Sequence, residues 1–137
     1  MPVDFSSHRD GAYVCLRGHG DISDAELISA IRLMYSNEEA TKLHKCALID
    51  FSRGHPQHIS SDSIREAAKL NITASKHMIP GAAVAIVVSQ SLAYSLGRMW
   101  QAYADGTGWT TQVFQDLPEA ENWLETRLFS QEADDAG

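Results

Sequence analysis

The segment that most constrains this chain is Ala82-Ala83-Val84-Ala85-Ile86-Val87-Val88, an unbroken apolar run between Pro80-Gly81 and Ser89. It is far shorter than the about 20 residues of a membrane span. It is also too short for a stable helix, and its β-branched residues favour a strand. A strand without polar alternation is covered on both faces. Helices must therefore lie on each side of the sheet that contains it, which makes the fold class α/β.

The rest of the chain supplies the strands and helices this requires. Val3 to His8 and Ala12 to Arg17 predict a hairpin around Arg9-Asp10-Gly11, and Gly18-His19-Gly20 is expected to end the second strand. Ser23 and Glu26 have the spacing of a capping box, flanked by the staple pair Ile22 and Leu27. Leu27, Ile28, Ile31 and Met34 continue that first helix. Cys46 to Ser52 predicts a buried strand, followed by a polar stretch from Arg53 to His58. A second helix begins at Ser60 to Ser63, buries Ile64, Ala67, Ala68, Asn71, Ile72 and Ser75, and stops at Pro80-Gly81. A third helix runs from Ser91 to Asp105, with Leu92, Leu96, Met99 and Tyr103 as its apolar stripe and Ala93, Trp100 and Ala104 beside it. Trp109 to Gln115 alternates like a strand, and Asp116 and Glu119 cap a fourth helix with Ala120, Trp123, Leu124 and Leu128 inward.

The predicted order, β-β-α-β-α-β-α-β-α, describes a mainly parallel five-stranded sheet with an N-terminal hairpin and four helices. Residues 1–129 form a single domain, and residues 130–137 an acidic disordered tail. The 137 residues suffice for a core without metal or disulfide. Cys15 and Cys46 form no CxxC pair, and no secretory signal is visible, so a reduced cytoplasmic protein is expected. The net charge of −7 disfavours nucleic acid and anionic lipid as whole-surface partners.

Ala47-Leu-Ile-Asp-Phe-Ser52, then Val84 to Val88, Arg98-Met99-Trp100, Ala102-Tyr103, Gly108-Trp109, Val113-Phe114, Asp116-Leu117 and Trp123-Leu124 follow one another in a familiar order. In this, residues 9–128 resemble the bacterial SpoIIAA-like group of STAS/SEC14-like domains. The resemblance implies an open sheet covered by four helices, no catalytic centre and no cofactor. It implies a module that binds a small lipophilic molecule or a partner protein, with transient membrane contact and with homodimerisation left open. STAS antagonists carry Asp-Ser-Ser/Thr-Gly where this chain has His58-Ile59-Ser60-Ser61. Ser60 falls on the phosphate-acceptor position, while the acidic residue and the glycine are missing.

In a sheet of this kind, ligands bind beyond the carboxyl ends of the strands. That rim is expected to gather Gly18 to Gly20, Asp50 to Ser61, Ser89 to Ser91 and Asp116. Asp50 is either held by backbone N–H groups of the following loop or contacts a ligand. His55 and His58, with His19 or Asp50, are the candidate metal ligands, and with Asp50 they define a rival reading as a small metal-dependent hydrolase. Ser52, Ser60 and Ser61 suit helix capping; phosphorylation at Ser60 would define a regulator of the antagonist kind. The two thiols suit inert packing. Tyr94, Trp100 and Tyr103 point in different directions around their helix, so one face covers the sheet, and another, facing the small Ala67, Ala68 and Ala74, either packs closely into the core or lines a lipophilic pocket or an interface.

Overall fold

The computed structural model describes residues 3–55, 58–89 and 91–136, excepting the side chains of 91–93 and 129–136. The apolar run forms strand β4 (Ala83–Val88), buried at all six positions. It belongs to a five-stranded mixed sheet of order β1-β2-β3-β4-β5, with β1 at Val3–His8, β2 at Tyr13–Asp21, β3 at Cys46–His55 and β5 at Thr110–Phe114. β1 pairs antiparallel with β2, and the pairs β2–β3, β3–β4 and β4–β5 are parallel. The chain is therefore of the α/β class.

The pleat divides the apolar residues into two layers. Val14 and Leu16 of β2, Ala47 and Phe51 of β3, and Val84, Ile86 and Val88 of β4 join one core with α1 (Asp24–Met34), α3 (Ser61–Ser75) and α4 (Ser91–Tyr103). Cys15, Cys46, Leu48, Ala83, Ala85 and Val87 point to the other face, where Ala120, Leu124 and Leu128 of α5 (Leu117–Ala136) cover them. Both cysteines are free and buried.

Local signals hold where they are strongest. Ser23 Oγ accepts the Glu26 N–H at 3.2 Å, Glu26 Oε1 accepts the Ser23 N–H at 2.9 Å, and Ile22 and Leu27 are both buried. Ser60 caps α3 by accepting the Ser63 N–H at 3.1 Å. Asp116 accepts the Glu119 N–H at 3.2 Å where α5 begins.

Several expectations are corrected. Gly18-His19-Gly20 does not end β2, which continues to Asp21 through a register shift between Arg17 and His19. Gly18 serves close packing, because a Cβ there would stand 2.5 Å from both Ile22 Cδ1 and Phe51 Cδ1. The longer β2 pairs His19, Gly20 and Asp21 with Arg53, Gly54 and His55, so the start of the expected polar loop is strand and Asp50 lies within β3 rather than at its end. A fifth, four-residue helix, α2 (Glu38–Thr41), is capped by Asn37. Tyr103 is not part of the buried stripe of α4. Gly97, Trp100 and Ala104 are buried, while Leu96 and Met99 are half-buried. Gly97 sets this rotation, since a Cβ there would meet Val113 Cγ1 at 3.0 Å. A 3-10 turn over Ala104–Thr107 ends at Gly108, whose φ of 74° suits glycine. The helical backbone of α5 also continues beyond residue 130, where an irregular tail is expected. Gln, Glu and Ala there are good helix formers without needing burial.

Candidate functional site: an apolar cavity under three helices

Between the sheet and α1, α3 and α4 lies a cavity of about 70 Å³. Small side chains create it. Ala47 on β3, Ala67 on α3 and Gly97 on α4 face Trp100, Leu16 and Ile86 without filling the space between them. Liquid water occupies about 30 Å³ per molecule, whereas a dry cavity of about 150 Å³ accepts benzene. The space seen here is about half the latter.

Its lining has two polar side chains with a shared hydrogen bond. Asn71 of α3 is buried, and its Oδ1 accepts a hydrogen bond from the Tyr35 hydroxyl at 3.2 Å. Tyr35 is the C-cap of α1. Burial pushes its phenol well above the usual range, so it stays protonated and donates. The neighbouring ring of His44 stands 6.0 Å away. Burial lowers the pKa of His44, and its buried Nδ1 has no hydrogen-bond partner among the described residues.

Outside Tyr35 is a larger groove of about 520 Å³ between α1, α2 and α3. Ile31 and Tyr35 line both spaces. The ionic groups of the groove are matched: His77 Nδ1 lies 2.9 Å from Glu38 Oε1, and Arg32 lies 3.2 Å from Glu66 Oε1.

The strand rim contains a second constellation. Arg17 donates to Asp50 Oδ2 at 3.0 Å, and Ser52 donates to Asp50 Oδ1 through its hydroxyl at 2.6 Å and its N–H at 3.0 Å. The parallel register sets Arg17 beside Asp50, and Ser89 Oγ donates to the Ser52 carbonyl at 3.2 Å. Gly18, Asp50 and Ser89 thus lie at nearly one level across the sheet, close to the end of β4, while β2 and β3 run on to Asp21 and His55. Asp50 is almost fully buried, and its carboxylate is engaged by a half-exposed arginine and a serine. This is the structural role expected of a carboxylate inside a sheet.

The remaining candidate residues separate. His55 closes β3 opposite Asp21 and is exposed, as is His58. His19 Nε2 stands 3.4 Å from Asp4 Oδ2. Among the described residues, no three His, Cys, Asp or Glu side chains form a metal-binding group. Ser60 is tied to α1, donating its N–H and hydroxyl to Asp24 at 2.8 Å each. Ser61 is exposed at the start of α3. Trp100 lines the cavity, Tyr94 packs half-buried against the same core, and Tyr103 lies outside. There Arg65 stacks 5.3 Å from the Tyr103 ring centroid and donates to its hydroxyl at 3.3 Å.

Sequence reasoning misses Tyr35, Arg17 and Asp24. It sets Asn71 on a buried face without assigning it a task. A signal exists there: one amide among Ile64, Ala67 and Ala68 on an apolar face must find a buried partner. Nothing local identifies Tyr35 as that partner, 36 residues away. No protein-family model, curated protein or solved structure matches the chain.

Proposed function

We propose that this protein is a non-enzymatic binding module of the SpoIIAA-like (STAS/SEC14-like) kind, and that its ligand is a small lipophilic molecule held between the sheet and α1, α3 and α4. The carrying observation is the apolar cavity beside Trp100, lined by apolar side chains and one buried amide. Binding sites are mostly apolar with a few placed polar groups. Transient membrane association belongs to the same reading. Exposed Leu33 lies on α1, and exposed Leu43 and Ile79 follow α2 and α3, the elements around the groove. A partner protein is the second reading, favoured by the exposed Arg65–Tyr103 stack.

A hydrolase and a phosphorylation switch draw less support from the geometry. A hydrolase built on Asp50, His55 and His58 would need the carboxylate that Arg17 and Ser52 already hold. Phosphorylation of Ser60 would break its hydroxyl bond to Asp24 and set about two negative charges against that carboxylate.

Native mass spectrometry of protein purified from cells, with organic extraction of the sample, tests the ligand reading. A co-purifying lipophile is the expected result. A ligand at about 100 times its Kd adds about 2.7 kcal/mol of stability. Ligand-free protein whose melting does not shift with neutral or anionic lipophiles refutes the proposal.

A further inference from the structure

We infer that Tyr35 is the gate between the groove and the inner cavity, and that Asn71 selects a neutral lipophile with a hydrogen-bond donor, such as an alcohol or a secondary amide. This rests on the reading of the cavity as a ligand site and adds its entrance and its ligand class.

Ile31 and Tyr35 line both spaces and stand between them. Tyr35 occupies the C-cap of α1, with φ −108° and ψ 16°, so its ring can turn without unwinding the helix. Its hydroxyl is held by the 3.2 Å bond to Asn71, long for an O–H···O bond. The groove provides about 520 Å³ into which the ring can move. That movement enlarges the inner space, which at about 70 Å³ is too small for a six-carbon molecule. It also frees Asn71 Oδ1, which then accepts a hydrogen bond from the ligand.

The ligand class follows from charge. The described lining of the cavity includes no Lys, Arg, His, Asp or Glu. His44, behind Tyr35, is kept neutral by burial. An ionised head group inside would lose its hydration without a counter-charge. Outside, Arg32 and His77 already face Glu66 and Glu38.

Trp100 and Trp109 line the cavity, while Trp123 packs in the opposite layer, so intrinsic fluorescence reports occupancy. The full chain is titrated with hexanol, hexyl fluoride and hexanoate at about pH 8, where the acid is ionised. Hexanol is expected to bind about tenfold tighter than hexyl fluoride, and hexanoate at least tenfold weaker than either. Tyr35→Phe keeps the ring but removes the bond that any six-carbon probe must break to enter, so hexanol and hexyl fluoride affinities both rise about threefold, and hexanol enters faster in stopped flow. Asn71→Leu removes the preference for hexanol, with circular dichroism confirming that it folds. If no probe binds the wild-type chain, both the ligand reading and this inference fall. If hexanol and hexyl fluoride bind equally, if hexanoate binds as well as hexanol, or if Tyr35→Phe alters neither affinity nor entry, this inference falls and the ligand reading stands.

Discussion

Ala67→Val tests the cavity directly. Ala67 is buried on α3 and lines the space opposite Trp100. At about 24 cal/mol per Å³, a void of about 70 Å³ costs the fold about 1.7 kcal/mol. Valine adds two methyl groups, each contributing about 0.8 kcal/mol when buried. Its β-branch costs about 0.5 kcal/mol in a helix relative to alanine. The net expectation is a gain of about 1 kcal/mol, or ~3–6 °C in Tm for a domain of this size. Urea unfolding followed by circular dichroism measures the gain, and the m-value should not change. Hexanol affinity should fall about tenfold in the same variant, because the added methyls take the ligand's space. A loss of more than about 1 kcal/mol at constant m would mean that the site is already full and valine overpacks it. Stabilisation with unchanged hexanol binding would show that the filled space is not where the ligand sits.

Four further outcomes are expected. Trp100→Ala removes a buried indole from the same wall and should cost about 3–5 kcal/mol in urea unfolding. Gly18→Ala sets a methyl against Ile22 and Phe51 and should cost about 1–3 kcal/mol; unchanged stability would refute the packing role of that glycine. Asp50→Ala breaks the bonds to Ser52 and Arg17 and should cost about 1–2 kcal/mol in the same assay, the half-exposed arginine limiting the loss. His44 has a folded-state pKa below its ordinary 6.5 because it is buried neutral. Its unfolded form takes a proton first, so Tm should decline as the pH falls below 6.5 towards the folded value, and His44→Leu should flatten that slope.

Much of the candidate rim is legible in the sequence because parallel pairing is periodic. Once Val14 to Arg17 and Cys46 to Asp50 lie side by side in register, Gly18, Asp50 and Ser89 fall at nearly one level of the sheet, close to the end of β4, whatever their side chains do. The partners of Asp50 are only partly legible. Ser52 lies two residues away and stands out as a candidate, but Arg17 reaches Asp50 from another strand through the register. Tyr103 departs from expectation for a different reason. A helical stripe counts tyrosine as apolar, yet the close approach of Gly97 to Val113 turns α4 so that Trp100 faces inward and Tyr103 meets Arg65.

By itself the sequence determined those features that depend on neighbours within a few residues. These are the doubly covered β4, the capping box at Ser23 and Glu26, the cap at Ser60 and the inward face of α5. Tertiary structure alone decided that β2 runs past its glycines, that Ser60 is bound to Asp24, and that Tyr35 closes on Asn71 over a cavity. The physical reason is that periodicity and capping act along the chain. A void or a long-range hydrogen bond depends on how far apart the packed elements come to rest, and side chains from several elements set that distance together.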